Sequence, residues 1–218
     1  MPESVRASIS KYGFAFLPSY HVQSGVGEVA LSLGDPIARS DGGISENLIP
    51  RAFASPNTYS GIYGLAEFPF HTDLAHWLQP PRFILLRCSK GYQSVFTLLH
   101  DGAAIADAVT RDLMMRALFK PRRPQRGASF LLRLCERFEN ADRFRWDQVF
   151  LRPACKLGQV AHHEVGAYLR RENPTKLSLI AAGDTLLIDN WRMLHARSLV
   201  PRGCEDRRIE RVYLRGLH

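Results

Sequence analysis

Three residues of this chain have the types and the spacing of a metal site. His71 and Asp73 are separated by one residue, and on an extended segment such residues point to the same side. An imidazole nitrogen and a carboxylate oxygen on one side can bind one metal ion. A third ligand has to come from a distant part of the chain, and His195, in the run GDTLLIDNWRMLHAR, is the candidate.

Two histidines and one carboxylate on one face of an ion leave the other coordination positions open. This arrangement is typical of iron(II) enzymes that bind a co-substrate and oxygen at the open positions. An HxD tripeptide alone is weak evidence, because chance produces it often and a single histidine is more commonly a surface or core residue. The metal hypothesis therefore depends on the sequence around both segments.

Other residues of similar type are weaker candidates. The HHE run at residues 162–164 is interpreted as a solvated cluster, because adjacent residues on regular structure point in different directions. His76 follows the first metal segment, and we interpret it, at most, as a residue that contacts the metal ligands and does not bind the metal. Arg192 and Arg197 flank His195, and for both a structural role is favoured over a catalytic one.

Two segments resemble those of a known family. YGLAEFPFHTDLAHWLQPPRFILLRC (residues 63–88) resembles the metal-binding segment of the taurine dioxygenase and clavaminate synthase-like superfamily, and GDTLLIDNWRMLHARS (residues 183–198) resembles its distal-histidine segment. The resemblance extends to the basic stretch DRRIERVYLRG. It implies that His71, Asp73 and His195 bind Fe(2+) as the catalytic centre, with 2-oxoglutarate as co-substrate and O2 as oxidant.

The resemblance also implies residues that bind 2-oxoglutarate. The family places an arginine after the distal histidine, where it pairs with the side carboxylate; Arg208, thirteen residues after His195, is our first choice, with Arg207 and Arg211 as alternatives. A guanidinium suits this task because its planar fork donates two parallel hydrogen bonds and keeps its charge. A slip of one residue in register would turn the side chain to the other face. Thr97 matches a family threonine that contacts the same co-substrate.

The implied reaction consumes 2-oxoglutarate and oxygen, releases succinate and CO2, and removes hydrogen from a substrate carbon. Halogenases of the superfamily carry a small residue where this chain has Asp73, so hydroxylation or desaturation is favoured. Many members are longer and cover the substrate with extra residues; here the cover must come from residues 35–62 and 116–138. We expect a small-molecule substrate, either an amino acid or a natural-product intermediate, with arginines near the mouth that receive a carboxylate.

The elements that must position these residues are mostly strands. Thirteen prolines and sixteen glycines spread along the chain indicate many turns between short elements. Apolar runs and alternation predict strands at residues 12–17, 83–88, 95–99, 177–180, 185–188 and 209–214. Helical spacing predicts helices at residues 22–33, 103–119 and 129–138, and residues 35–62 are predicted to form a long loop.

The expected fold is mainly β with flanking α-helices, a double-stranded β-helix, which is a cupin-like jelly-roll of two antiparallel sheets. In this architecture residues 71–73 and 195 meet on neighbouring strands at one open end. The sequence contains no repeat, low-complexity tract or linker, and its 45% hydrophobic content is enough for one core. We therefore expect a single domain over residues 1–218.

Composition limits the classes of protein further. The first twenty residues lack the pattern of a signal peptide, and no window approaches the roughly 18 apolar residues of a membrane span, so we expect a cytoplasmic protein. The four cysteines, at positions 88, 135, 155 and 204, form no CxxC pair, so neither a zinc knuckle nor a dithiol site is indicated. Reduced thiols fit a reducing compartment.

The formal charge of +8 is also compatible with other functions. It reflects 29 Lys and Arg against 21 Asp and Glu, a surplus that attracts nucleic acid or anionic small molecules. The basic run KPRRPQR (residues 120–126) lacks the interleaved aromatics of a single-strand binding surface, so a nucleic-acid partner is not expected. A nucleic-acid-directed oxygenase and a metal-binding jelly-roll without turnover are the alternatives. The oligomeric state stays open.

Overall fold

The structure is a computed structural model that describes residues 1–124, 127–138 and 141–218. The helices are α1 (Glu3–Tyr12), α2 (Val26–Leu33), α3 (Tyr59–Tyr63), α4 (Gly102–Val109), α5 (Arg111–Arg116) and α6 (Lys156–Arg171). The strands are β1 (Phe14–Leu17), β2 (Gly34–Pro36), β3 (Ser45–Leu48), β4 (Phe68–His71), β5 (Phe83–Lys90), β6 (Thr97–Asp101), β7 (Leu118–Pro121), β8 (Leu132–Arg133), β9 (Cys135–Phe138), β10 (Ala141–Phe144), β11 (Leu151–Pro153), β12 (Thr175–Leu177), β13 (Thr185–Asp189), β14 (Met193–Arg197) and β15 (Arg208–Leu217).

Two antiparallel sheets contain the strands that carry the predicted site. The larger sheet has the strand order β1-β13-β5-β15-β2, and β3 also pairs with β15; the smaller sheet has the order β12-β6-β14-β4. Shorter pairings join β9 to β10, and β7 to β8 and β11. The two segments with the predicted metal ligands therefore belong to the smaller sheet.

The two sheets pack against each other through apolar side chains. Ile84 and Leu86 of β5 share a buried cluster with Leu99 of β6 and Met193 of β14. Leu85 points to the other face of the larger sheet and belongs to a second cluster, which includes side chains of α1 and α2. Because β5 is covered on both faces, its sequence is a continuous apolar run and does not alternate.

Helices also cover the smaller sheet. Ile105 of α4, Met114 of α5 and Val165 of α6 are buried in one cluster with Leu194 of β14. Helices thus lie outside two facing antiparallel sheets, and the predicted mainly β, jelly-roll fold is confirmed. No helix among the described residues is both long enough and apolar enough to cross a membrane.

Several element predictions need correction. The predicted helix at 103–119 ends at Val109, because Thr110 has a φ of 77° and breaks the backbone pattern before α5. The predicted helix at 129–138 is wrong, since β8 pairs with β7 and β9 pairs with β10 in this stretch. The predicted strand at 12–17 begins only at Phe14, the loop at 35–62 contains β3 and α3, and neither α1 nor α6 was predicted.

Candidate metal centre

Strand pairing brings the two predicted histidine ligands together. β4 and β14 are antiparallel neighbours, and His71 is the cross-strand partner of His195. Side chains of such a pair project from the same face of the sheet, and the two imidazole centroids are 4.4 Å apart. Asp73 follows two residues after His71. Residues that are distant in the sequence therefore meet at the end of β4.

The donor atoms of the three side chains have separations that suit one metal ion. His71 Nε2 lies 3.4 Å and His195 Nε2 lies 3.6 Å from Asp73 Oδ1, and one donor atom from each residue lies within 4.8 Å of the others. A divalent ion with bonds of about 2.1 Å at right angles separates neighbouring donors by roughly 3 Å. Two imidazoles and one carboxylate therefore fit iron(II) with positions left open.

A backbone contact orients the imidazole of His71, and burial affects the protonation of His195. Nδ1 of His71 lies 2.8 Å from the carbonyl oxygen of Pro69, which assigns its proton to Nδ1 and directs the Nε2 lone pair to the site. The Tyr59 ring stacks on His71 at a centroid distance of 4.3 Å and an angle of 22°. Burial lowers the pKa of His195, which favours the neutral form that binds metal.

The Asp73 carboxylate is ionised, and each oxygen has a different environment. Arg211 Nη1 and the Tyr213 hydroxyl donate to Oδ2 at 2.7 Å and 2.9 Å. Burial alone would raise the pKa of Asp73, but the positive charge of Arg211 and contacts with both histidines hold it well below its usual range. Protein donors thus occupy Oδ2, while Oδ1 faces the imidazoles.

A buried asparagine fixes the backbone of Asp73. Asn190 accepts a hydrogen bond from the Asp73 N–H at 2.7 Å and donates to the Asp73 carbonyl oxygen at 3.0 Å. Its amide also donates to the Pro81 carbonyl oxygen at 2.9 Å. The next residue, Leu74, has a φ of 55°, an uncommon backbone conformation for a residue with a side chain. Asn190 therefore connects the distal-histidine segment to the first metal segment.

A cavity of about 770 Å³ contains the three candidate ligands. Its buried end is formed by the ligands and by strand residues. Its exposed end includes Arg51, Ser55, Asn57, Arg123 and Pro124, with the partly exposed Arg122 and Ser60. Small-molecule sites commonly have volumes of about 300–1,000 Å³. The volume is therefore sufficient for a co-substrate together with a substrate.

The structure distinguishes between the three arginines expected at the co-substrate. Arg207 and Arg211 line the cavity, together with Ile209 and Tyr213, because alternate residues of this segment face the same side. Arg208, our first choice from spacing, is exposed on the other face and does not line the cavity. We therefore do not assign it to the co-substrate. Thr97 of β6 is buried and lines the cavity as well.

Arg207 is a buried cation that pairs with no carboxylate among the described residues. It is 6% exposed, and its Nε has no hydrogen-bond partner in the part of the chain that the structure describes. Burial lowers the pKa of Arg207 to about 10. Arg211 differs, because Asp73 and Glu46 both accept hydrogen bonds from its guanidinium. Arg207 is consequently the arginine that is available to an incoming anion.

Asp147 is a site residue that the sequence did not indicate. It is 3% exposed, lines the cavity and forms an isolated β-bridge with His71. The backbone N–H groups of Val149 and Phe150 both donate to its Oδ1 at 2.7 Å, while burial raises its pKa. No motif surrounds it, so only the tertiary contact could identify it. Tyr213, by contrast, was within reach of the sequence, because it lies two residues after Arg211.

The remaining sequence candidates have different positions. His76 lines the cavity, whereas the HHE run at residues 162–164 lies on α6 and does not. Arg192 forms an ion pair with Asp101 at 2.6 Å, and Arg197 donates to two backbone carbonyl oxygens, so both side chains have structural contacts. Residues 122 and 123 of the basic run line the cavity, and residues 125 and 126 lie outside the described residues.

Comparison with known proteins reveals similarity at the level of structure. No family model and no curated protein sequence matches the chain. Asparagine oxygenase (AsnO) superposes with a TM-score of 0.72 at 18% identity over 98% of this chain and 78% of that chain. The non-heme iron oxygenase OrfP, in complex with Fe, succinate and (3S)-hydroxy-L-Arg, gives 0.69 at 18% identity, covering 98% and 80%. PvcB from Pseudomonas aeruginosa gives 0.70 at 14% identity, covering 98% and 80%. The chain therefore has the fold of these oxygenases, the fold expected from its resemblance to the taurine dioxygenase and clavaminate synthase-like superfamily.

Proposed function

We propose that this protein is an Fe(II)/2-oxoglutarate-dependent dioxygenase that hydroxylates or desaturates a small molecule and releases succinate and CO2. The observation that carries the proposal is that one cavity holds both the His71, Asp73 and His195 group and the uncompensated cation Arg207. A metal-binding protein without turnover needs only the first feature. A metal centre that works with an anionic co-substrate needs both.

His71, Asp73 and His195 would hold the iron, which when bound supplies the activation of oxygen at the expense of 2-oxoglutarate. The protein fixes the ligands before the metal arrives. Arg211 and Tyr213 orient the Asp73 carboxylate through Oδ2, which leaves Oδ1 for coordination. Such outer contacts commonly change metal affinity by about 10–100-fold when they are removed.

Arg207 and Thr97 would bind the side carboxylate of 2-oxoglutarate. Both are buried and line the cavity that contains the metal ligands. The guanidinium can donate two parallel hydrogen bonds to a carboxylate, and the threonine hydroxyl can donate one more. Binding would also give Arg207 the counter-charge that the described residues do not provide, which favours a dianionic co-substrate over a neutral one.

An amino-acid type of substrate agrees with the remaining charges of the cavity. Asp147 presents a buried carboxylate there, which can accept hydrogen bonds from an amine. Among the similar structures, one complex of asparagine oxygenase contains 3-hydroxyasparagine, and OrfP was crystallised with (3S)-hydroxy-L-Arg. We extend that substrate class to this chain. These products do not favour a nucleic-acid substrate.

The decisive experiment is anaerobic addition of iron(II) and then 2-oxoglutarate to the metal-free protein. We expect the weak visible charge-transfer band of a chelated 2-oxoglutarate complex, and we expect no band from His195→Ala under the same conditions. Succinate release in the presence of candidate amino acids would then identify the substrate. Iron binding without any band would refute the 2-oxoglutarate assignment and favour a metal-binding jelly-roll of other function.

Location and domain organisation belong to the same proposal. All four cysteines are free thiols, which supports a reducing, cytoplasmic location. One catalytic domain over residues 1–218 is supported by the span of the structural similarity, which covers 98% of the chain.

A further inference from the structure

The exposed end of the cavity carries positive charge that the proposed reaction does not use. Arg51, Arg122 and Arg123 line this end. The carboxylates that line the cavity have other partners. Glu46 pairs with Arg39 and Arg211, Asp73 pairs with Arg211, and Asp147 accepts hydrogen bonds from backbone N–H groups. Within the described ranges, no carboxylate lies within ion-pair distance of the three guanidiniums at the exposed end.

Local contacts hold Arg122 in place. Its backbone N–H donates to the Phe150 carbonyl oxygen at 2.8 Å, where β7 ends. Its guanidinium donates to Asn57 Oδ1 at 2.9 Å and lies 5.2 Å from the centroid of the Phe150 ring. Pro121 and Pro124 flank the two arginines and restrict the backbone on both sides. Preorganised cations lose less conformational entropy when an anion binds.

The chemistry of this end suits a phosphate group. Guanidinium groups match phosphate oxygens with paired hydrogen bonds, and several of them suit a group with more than one negative charge. Neutral donors, including Ser55 and Ser60, line the same end, and phosphate oxygens accept hydrogen bonds from such hydroxyls. A single carboxylate would not need three arginines, since Arg207 alone is assigned to the co-substrate carboxylate at the buried end of the cavity.

We propose that Arg51, Arg122 and Arg123 form a phosphate-binding site, and that the amino-acid type of substrate proposed above bears a phosphate group. The phosphate would sit at the exposed end of the cavity while the rest of the molecule extends to the metal ligands. A volume of about 770 Å³ leaves room for such a substrate beside 2-oxoglutarate. The assignment of the bound molecule as substrate rests on the proposed function, but the phosphate site itself does not.

The test is calorimetric titration of inorganic phosphate and pyrophosphate into metal-free protein without 2-oxoglutarate, at low ionic strength and again at about 0.15 M. The double variant Arg122→Gln/Arg123→Gln should bind pyrophosphate at least about tenfold more weakly than the parent, because charge-assisted hydrogen bonds are lost. Arg51→Gln should show a smaller loss. Arg215→Gln is the matched control, because Arg215 is exposed and does not line the cavity, and it should bind as the parent does.

Three results would overturn the phosphate site. The first is absence of pyrophosphate binding to the parent, and the second is equal binding by the parent and the double variant. The third is tighter binding of a single-stranded oligonucleotide with a steep salt dependence, which would assign the arginines to a nucleic-acid surface. Because these titrations contain no iron and no 2-oxoglutarate, their failure would leave the oxygenase proposal intact, and failure of the charge-transfer test would leave the phosphate site intact.

Discussion

Replacement of Arg207 by methionine should make the folded protein more stable and, at the same time, abolish 2-oxoglutarate binding. The arginine is buried without a carboxylate partner among the described residues, and burial lowers its pKa to about 10, well below the usual range of a guanidinium. Folding thus disfavours its protonated form. Methionine keeps the length of an unbranched side chain but needs no counter-charge in the cavity.

The size of the gain follows from the pKa shift. At 1.36 kcal/mol per pKa unit, the shift corresponds to about 3 kcal/mol of destabilisation of the charged form. Because a lowered pKa of a base penalises the protonated state, the penalty is fully present below about pH 10 and is relieved as the pH rises above that value. Solvent in the cavity reduces it, so we expect Arg207→Met to raise the free energy of unfolding by roughly 1–3 kcal/mol at neutral pH.

Arg197→Met is a demanding control for this prediction, because burial lowers the pKa of Arg197 to about 10 as well. Arg197, however, donates to the carbonyl oxygens of Gly64 and Ala66 at 2.8 Å and 2.7 Å, and it lies 3.7 Å from the centroid of the Phe68 ring. Its replacement should lower the free energy of unfolding by about 2–4 kcal/mol.

Urea unfolding at neutral pH measures both variants, and the charge-transfer band of the iron complex measures co-substrate binding. Loss of stability in Arg207→Met similar to that in Arg197→Met would refute the reasoning, because it would mean that Arg207 has a stabilising partner. An undiminished band would refute its role at the co-substrate. A more stable protein without the band would indicate a cation retained for function at a cost in stability.

Three further variants test the structure around Asp73. Asn190→Ala should lower the free energy of unfolding by about 2–4 kcal/mol and weaken iron(II) binding at least tenfold, because three buried hydrogen bonds are lost. The control Asn173→Ala, at an exposed position, should change neither the unfolding free energy nor the iron affinity. Tyr213→Phe should leave the unfolding curve nearly unchanged and weaken iron(II) binding about three- to tenfold, since it removes one donor to Oδ2; equal affinity would contradict this. Arg145→Met should cost about 3–5 kcal/mol in urea unfolding, because the buried carbonyl oxygens of Ala75 and Trp77 lose their donor and Glu136 keeps only Arg143 of its two arginine partners. A cost below about 1 kcal/mol would contradict this packing.

The sequence predicted the architecture where local pattern and tertiary environment agree. The apolar run at residues 83–88 is buried on both faces of a sheet, and the structure has β5 there. The helix predicted at residues 129–138 failed because leucines and aromatic residues at mixed spacings fit two periods equally well. The pairing of β8 with β7 and of β9 with β10 decides for strand, and the spacing of apolar residues does not reveal these pairings. Helix α6 was missed although sixteen residues form it.

The candidate ligands could be predicted because two kinds of sequence information indicate them. The spacing of His71 and Asp73 is local, and the family resemblance supplied His195. Asn190 and Asp147 could not be found in the same way, since each acts through a contact with residues more than seventy positions away. The residues next to Asn190 and Asp147 in the sequence do not indicate these contacts.

The choice among Arg207, Arg208 and Arg211, which lie just before β15 or on it, shows what sequence spacing alone cannot decide. Counting from His195 favoured Arg208, but alternation along β15 turns that side chain away from the cavity. Position alone would still leave two candidates. Their partners separate them, because the charge of Arg211 is already engaged by Asp73 and Glu46, whereas Arg207 is buried without a carboxylate partner among the described residues. Of these two arginines, Arg207 is therefore the one that gains a counter-charge from the co-substrate carboxylate, while displacing Arg211 from Asp73 would remove a donor that orients the proposed iron ligand.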